Sequence, residues 1–452
     1  MRINSPFSII SATLIVSSIS EENLSVEVKN NIIELRFYQN LFKPYVDAKL
    51  VLLDDFGLRN SLSIQGTERL VITIGSSETD PLFKKTFFLS KIIDTSRSNE
   101  RSEILSLELI EEHVYVNSVK QISRSFTSTL EEMAENICRS ELKKDIIKGL
   151  FSGSAQGIRK VLIPYLNPLQ AINWVINRST TKTGSPIFLS GDLYSDELYL
   201  SDLDNLLNEP IINEKLPYRF GASSKVANDQ SALLGPYYDI KGFKETDMEN
   251  TLHLFETGAV GSFHENLDAG TGQQSSSHLS VRDILTEMYT NGLIDDATTQ
   301  SIFDPSLLID GKLSDEYNSQ HIHQVTSTGT YNQYLSYHDE TRTLLDEQGN
   351  AIESKLKMKN KIIRHLLKKN TIDVSLDGIS LFTQKTSVGE KVRILFLNSN
   401  VKSQGDNIAD QIDFRKSGDY LILAIGHKLI EQQHDSSMRV TKLGDLPKNF
   451  KI

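Results

Sequence analysis

The chain has 452 residues and a formal net charge of −11; 24% of its residues are charged and 38% are hydrophobic. This length can hold about two to four domains with separate cores, and the composition excludes a fibrous or disordered chain. The acidic balance excludes a general nucleic-acid-binding surface, whereas a surface that DNA passes without adhering would carry this sign.

The first 117 residues are predicted to be mainly β. Residues 7–16 are largely apolar, but Ser8, Ser11 and Thr13 interrupt them with strand-like alternation, so a first strand is favoured over a signal-peptide core. No stretch of the sequence reaches the roughly 18 apolar residues of a membrane-spanning helix. Further strands, several of them rich in β-branched residues, are predicted at 46–52, 70–74, 87–93 and 104–110.

Residues 118–205 are predicted to form a small α/β domain inserted in the β structure. Ser128 and Glu131 have the spacing of a capping box, and apolar residues follow at helical intervals. Cys138, the single cysteine, lies in this pattern; it excludes an intramolecular disulfide and is predicted to be a core residue rather than a reactive thiol. A second helix is predicted to start at Pro168, and short strands are predicted at 187–190 and 197–200.

The middle of the chain is less regular in pattern. Residues 206–240 are mixed and polar, and a strand pair is predicted within residues 241–255. Residues 264–278 have the Gly, Ser and Gln composition of a loop. Residues 295–345 are polar and give no assignment.

Two further helices are predicted before the β pattern returns at residue 371. Ser280 with Asp283 caps the first helix, and Gly292 is placed to end it. Residues 355–369 carry seven cations and no acid, which fits either a helix with a solvated basic face or a patch that docks on an acidic partner. The apolar face of this second helix is predicted to contain Ile362, Ile363, Leu366 and Leu367.

One strand pattern occurs twice in the sequence. A repeat would give one subunit two similar β-domains, although any antiparallel β-protein shows some recurrence of glycine, strand and loop. The first copy covers residues 66–72, 87–93 and 104–109, and the second covers 389–394, 419–425 and 438–443.

The sequence contains no strong catalytic or nucleotide-binding motif. The stretch from Gly153 to Gly157 does not have the Gly-x-Ser-x-Gly spacing of a hydrolase nucleophile. Gly270-Thr271-Gly272 has no preceding strand and no following helix in register, so a dinucleotide site is not predicted. We therefore predict no catalytic residue and no cofactor.

Histidines and aspartates are the only candidates for a metal site. His321 and His323 would share one strand face, with His338 as a loose third ligand, but exposed histidines in a loop fit the pattern better. Paired aspartates such as Asp202 and Asp204 are common in acidic proteins, and the separation that a glycosidase needs is not readable from sequence. No metal is predicted, because the segment with Asp192, Asp196, Asp202 and Asp204 lacks the glycine and terminal glutamate of an EF-hand loop.

A further set of segments, read together, has the pattern of a known family. They are 33–54, 62–66, 68–74, 167–175, 188–189, 203–206, 255–262 with Asp268, 372–378, 388–392, and 416–422 with His427. Taken together, these segments resemble the central baseplate hub proteins of contractile-tailed phages of the T-even type. The matches follow the family's order across most of the chain, and the departures are residues 295–345 and 400–416.

The resemblance implies an α+β, mainly β protein with two similar tail-tube-like antiparallel β-barrels and inserted α/β and helical segments. It implies a homotrimer whose six barrels form a pseudo-sixfold ring between the trimeric spike and the hexameric tail tube. Baseplate wedge proteins would surround it, DNA would only pass through its channel, and the protein would reside in the virion. No enzymatic activity and no stable membrane association are implied.

The expected domain division follows the resemblance together with the predicted elements. Two other functions stay open at this point: a tail-associated peptidoglycan hydrolase with paired carboxylates, and a spike-type component of a bacterial contractile secretion system. The first barrel is expected in 1–117, completed by 206–240, with an α/β insert in 118–205. The second barrel is expected to start in 241–265 and to continue in 355–452, with a polar, helical insertion in 266–354.

Overall fold

The computed structural model of the chain describes residues 5–16, 24–55, 57, 64, 66, 68–77, 79–97, 102–154, 158–177, 179–221, 238–246, 251–268, 272, 274–292, 294, 308–326, 353–369, 371–397, 412–431, 433–444 and 446. Strands dominate them, and thirteen strands belong to a single large sheet, so the predicted mainly β fold class is confirmed.

The strands are β1 Ser8–Val16, β2 Leu24–Glu27, β3 Ile32–Asn40, β4 Asp47–Asp54, β5 Arg69–Ser77, β6 Asp80–Arg97, β7 Glu103–Glu111, β8 Ile122–Ser128, β9 Ile146–Leu150, β10 Arg159–Leu166, β11 Ile187–Gly191, β12 Leu198–Asp202, β13 Tyr218–Phe220, β14 Ile240–Thr246, β15 Gly261–Asp268, β16 Gln274–Ser280, β17 Leu308–Ile309, β18 Lys312–Leu313, β19 Gln320–Thr326, β20 Thr371–Asp377, β21 Lys391–Phe396, β22 Gly418–Ile430 and β23 Gln433–Gly444. The α-helices are α1 Glu112–Val119, α2 Leu130–Ile137, α3 Pro168–Asn177, α4 Leu203–Asn208, α5 Thr251–Glu256, α6 Val281–Thr290, α7 Glu353–Leu366 and α8 Ile379–Gln384.

The first β module consists of seven strands in the order β3-β4-β7-β6-β5-β1-β2. Its strands alternate buried apolar and more exposed residues, as strands with one covered face require. The predicted first strand is confirmed as β1, which pairs with β5. The sheet curves around one core, which includes Leu14, Phe37, Leu50, Ile72 and Leu107.

The second β module is a six-stranded barrel in the order β14-β20-β23-β22-β21-β13. A bridge between Arg219 and Asp239 closes it, because it links β13 to the residue before β14. Tyr218, Val374, Ile394 and Tyr420 fill its core.

Residues 206–240 were predicted to complete the first barrel, and that prediction is wrong for their described part. β13 pairs with β21 in the second barrel, and the Tyr218 and Tyr238 rings pack there with centroids 5.4 Å apart. The chain is held at this barrel on leaving α4, because the Lys391 ammonium donates to the Leu207 carbonyl at 2.6 Å and the Ile212 amide donates to the Lys391 carbonyl at 3.0 Å.

The two modules share one strand order. The order β3-β4-β7-β6-β5 in the first module matches β14-β20-β23-β22-β21 in the second, and every ladder in both series is antiparallel. The paired strands also follow each other in the same order along the chain. The sequence repeat lies on the matching strands β5–β7 and β21–β23, so the recurrence in sequence corresponds to a recurrence in topology.

The α/β insert contains two small sheets, β8-β10 and β9-β12-β11, around its own core. Helix α3 starts at Pro168 as predicted, but the capping box of α2 is formed by Thr129 and Glu132, one residue beyond the predicted pair. Cys138 is fully buried, and burial raises the pKa of its thiol to about 12, as expected for a core residue.

Several predictions for the second insertion need correction. Of the predicted strand pair in 241–255, the described residues contain β14 but no second strand, because α5 occupies residues 251–256, where Leu254 is buried against other apolar residues. Most of the predicted loop at 264–278 is strand, since β15 pairs with both β16 and β19. β15 therefore belongs to a separate three-stranded sheet and not to the second barrel. Helix α6 is capped by Ser280 as predicted.

Candidate assembly surface

The two β modules are joined edge to edge by one antiparallel ladder between β3 and β22. The ladder runs from the Leu35–Leu429 pair to the Asn40–Ala424 pair. β22 has 13 residues and changes neighbour along its length: its first residues pair with β21 and its later ones with β3. The modules therefore share one continuous sheet, which fixes their relative orientation.

Side-chain packing strengthens this junction. Phe382 lies on α8, next to the second barrel, but its side chain is buried in the core of the first module. Its ring centroid is 5.6 Å from that of Phe7, 6.0 Å from that of Phe83 and 6.5 Å from that of Tyr194. The junction thus has an aromatic core in addition to its backbone hydrogen bonds.

Two buried histidines also pack against the Phe382 ring. The centroids of His434 and His427 are 4.0 Å and 4.6 Å from that of Phe382, and His427 Nδ1 lies 2.9 Å from the Ser436 hydroxyl. Burial lowers the pKa of both rings; the neighbouring His434 lowers that of His427 further, and the charge of Lys241 helps to lower that of His434 to about 3. Both imidazoles are therefore neutral at neutral pH.

Charged side chains line the outside of the junction. The Lys428 ammonium lies 3.0 Å from the Glu34 carboxylate, which also pairs with Arg36. Burial alone would raise the pKa of Glu34, but the hydrogen bonds from Arg36 and Lys428 outweigh it, so the pKa lies below its usual value. These contacts are partly exposed and contribute less to stability than the buried core.

The basic segment at 355–369 is helical through residue 366, and Lys359 and Arg364 contact other parts of the same chain. Lys359 donates to the Glu287 carboxylate at 2.6 Å and to the Thr183 carbonyl at 2.7 Å. Arg364 lies over the Phe188 ring, and burial lowers its pKa to about 10. The predicted apolar face of the segment is buried, and it consists of Ile362, Ile363, Leu366 and Leu367.

The histidines that were candidates for a metal site are not brought together in the described part of the chain. His321 lies on β19 with its ring 5.4 Å from that of Phe263. The backbone of His323 pairs with that of Glu265, but its side chain lies outside the described residues, as does all of His338. Among the residues that the structure describes, no group of three His, Cys, Asp or Glu side chains could hold a metal.

The four candidate aspartates each make a structural contact. Asp202 caps α4 and accepts hydrogen bonds from the Ser152 amide at 2.7 Å and hydroxyl at 2.8 Å. Asp204 accepts from the Thr183 hydroxyl at 2.5 Å, and Asp196 lies 3.5 Å from the Lys144 ammonium.

Asp192 has a different environment, because it lies near a second carboxylate, that of Glu390, which the sequence analysis did not single out. It accepts a hydrogen bond from the Ser387 hydroxyl at 2.8 Å, and the Ser387 amide donates to Glu390 at 3.0 Å. Asp192 also accepts from the buried Gln39 on β3 at 3.2 Å. No local motif could have revealed that Asp192 and Glu390 lie together, since Asp192 and the Ser387 that connects them are 195 positions apart in sequence.

Solved structures of phage tail proteins have a similar fold. A tail protein of Neisseria meningitidis MC58 superposes with a TM-score of 0.52 at 11% identity, over 96% of this chain and 96% of that chain. The tail protein of prophage MuSo2 from Shewanella oneidensis superposes with a TM-score of 0.51 at 10% identity, over 96% of this chain and 98% of that chain. Neither a protein-family model nor a curated protein matches the sequence. In the described part of the chain, every helix is too short or too polar to cross a membrane.

Proposed function

We propose that this protein is the structural hub of a contractile phage tail baseplate. In this proposal three copies form a pseudo-sixfold ring that joins a trimeric spike to the hexameric tail tube and leaves a channel for DNA. The observation that carries the proposal is the strand order that occurs twice in one chain. The likeness to phage tail proteins over nearly the whole chain supports it.

The physical reason is a mismatch of symmetry. A threefold partner and a sixfold partner cannot make equivalent contacts unless each protomer offers two similar surfaces. Two modules with matching strand order offer them, and the shared sheet at the β3–β22 ladder keeps their spacing constant. Strand edges at the ends of each module would pair with neighbouring copies and thereby close the ring.

The remaining assignments belong to the same proposal. The first module, the α/β insert, the second barrel and the insertion between β14 and β20 would be separate domains. Tube proteins would contact one face of the ring, the spike would contact the other, and baseplate wedge proteins would surround it. The acidic balance, tripled in the trimer, would let DNA pass without strong binding, because a channel wall with this net sign would repel its phosphates.

Mass measurement of the purified chain tests the proposal directly. Light scattering and native mass spectrometry across a concentration series, with and without the spike protein of the same phage, should give three copies per particle. Electron micrographs of these particles should show a ring with six similar densities. A strict monomer at high concentration in the presence of the spike protein would contradict the proposal.

A matched pair of variants links this assembly to the junction. Gly426→Pro removes a backbone donor in the part of β22 that pairs with β3, whereas Lys385→Ala changes a side chain away from the ladder. We expect the first variant to lose the ring and the second to keep it. Rings of normal shape from the proline variant would contradict the role given to the shared sheet.

A further inference from the structure

A cavity of about 410 Å³ lies where the α/β insert meets the second barrel. One wall is a face of the β9-β12-β11 sheet, and the opposite wall is the segment that leads into β21, including Val388 and Glu390. This volume is in the range of small-molecule binding sites, which combine apolar walls with a few convergent polar groups.

Two carboxylates converge on this cavity, and neither is in an ion pair with a described cation. Asp192 and Glu390 both line it, and Ser387 hydrogen bonds to both. Within the described residues, no lysine or arginine lies within ion-pair distance of either carboxylate. Burial raises the pKa of Glu390 to about 7, against the hydrogen bond from Ser387 and with help from the charge of Asp192. Lys385 also lines the cavity, but it forms no ion pair with either acid.

Two largely buried serines face the same space. Ser190 on β11 and Ser201 on β12 are each only 5% exposed, and both line the cavity. Each alternates along its strand with a leucine of the insert core, Leu189 and Leu200, so the serine side chains point to the opposite, cavity face. Neither hydroxyl has a protein hydrogen-bond partner among the described residues, so both are free to accept from a ligand in the cavity.

We propose that this cavity binds a primary alkylammonium cation, with its ammonium group held by Asp192, Glu390 and the hydroxyls of Ser190 and Ser201. An ammonium group has three donors and no acceptor, which matches two carboxylates and hydroxyl oxygens that can all accept. The methylene chain would lie against apolar walls such as Ile147 and Val388. This site is independent of the proposed hub function.

The cation has two possible sources with the same chemistry, a free amine or a lysine side chain of a partner protein. Pentylamine represents the first source and Nα-acetyl-lysine methylamide the second. Calorimetric titration of the full chain at pH 8 with each probe, and with 1-pentanol as the uncharged control, separates charge recognition from apolar burial. We expect saturable binding of pentylamine that is at least about tenfold tighter than that of 1-pentanol.

Variants identify the groups that hold the ammonium. Glu390→Gln should weaken pentylamine binding about tenfold, and the double variant Ser190→Ala, Ser201→Ala should weaken it by a similar factor, since each removes charge-assisted hydrogen bonds. Glu112→Gln, an exposed change outside this cavity, should leave the affinity unchanged. The serine variant keeps the carboxylates, so it tests the site even if Glu390→Gln lowers the melting temperature.

Acidification provides an independent test. Between pH 8 and pH 6, protonation of Glu390 should weaken pentylamine binding about tenfold in the natural protein and much less in Glu390→Gln. The other titratable groups at the cavity, Asp192, Tyr194, Glu209 and Lys385, are present in both proteins and therefore cancel in the comparison.

The outcomes distinguish a free amine from a partner lysine as the source of the cation, and they include results that would overturn the proposal. Binding of pentylamine alone indicates a free amine, and binding of both amines indicates that a partner lysine also fits. Equal affinity for pentylamine and 1-pentanol, unchanged affinity in Glu390→Gln and in the serine variant, or no saturable binding of either amine would overturn it. None of these results depends on whether the chain forms a ring.

Discussion

Acid should loosen the junction between the two β modules through the buried histidines, and His434→Gln should remove much of that sensitivity. The pKa of His434 falls from its usual 6.5 to about 3 on folding. A group whose pKa is depressed in the folded state stabilises it above the unfolded pKa and loses that contribution as the pH falls. At pH 5 the loss from His434 is about 2 kcal/mol, because 1.5 pH units correspond to about 1.36 kcal/mol each.

Other groups near the histidines make a comparison between variants necessary. Lys241, Lys428 and Asp435 lie around the pair, and Glu390 has the opposite linkage, because its raised pKa makes acid stabilising. His427 contributes in the same direction as His434, since its pKa is also lowered. The natural protein and His434→Gln share all these groups, so the difference between their pH dependences gives the contribution of His434, including its effect on the pKa of His427.

Hydrogen exchange measured by mass spectrometry gives the local opening free energy of β22. For peptides within residues 418–430, protection corrected for intrinsic exchange should fall about thirtyfold more between pH 7.5 and pH 5 in the natural protein than in His434→Gln. The variant also loses ring packing on Phe382, but that loss is the same at both pH values. An equal change in protection in both proteins would refute the role assigned to His434.

Three substitutions test other contacts. Phe382→Ala should lower the free energy of unfolding by about 3 kcal/mol or more, because it removes the central ring of the aromatic core at the junction. Phe414→Ala is the control and should change this free energy little, because its ring is 56% exposed. Equal effects of the two variants in urea unfolding would contradict the prediction. Asp419→Ala should lower the free energy of unfolding by about 3 kcal/mol, since it removes the carboxylate that accepts two hydrogen bonds from the buried Arg393 guanidinium. A loss below about 1 kcal/mol would show that water replaces these hydrogen bonds. Thr129→Ala should cost about 1 kcal/mol through loss of the α2 cap, measured by thermal unfolding, and no change would mean that the cap is redundant.

Features with local causes could be predicted from the sequence. Pro168 at the first turn of α3 and Ser280 at the cap of α6 act within one or two helical turns, and both helices start where the pattern placed them. Alternation likewise located β1, and β-branched residues located β5–β7. The cap of α2 was one residue off, because Ser128 and Thr129 are adjacent and both hydroxyls suit the position.

Features with distant causes could not be predicted. Residues 218–220 contain little strand signal of their own, and only the edge of β21 decides that they join the second barrel. β16 is rich in serine and resembles a loop until β15 supplies its hydrogen-bond partners. The pair of Asp192 and Glu390 depends on the docking of the insert against the second barrel, which no short motif records.

Because β22 pairs with β3 of the other module, the chain cannot be divided between the two modules without exposing a strand edge. A fragment that ends before β22 would leave β3 with an unsatisfied backbone edge, and a fragment that begins after β3 would do the same to β22; such edges promote aggregation. Removal of either module would therefore expose a strand edge of the other. The pairing of β3 with β22 makes each module depend on the other to cover that edge.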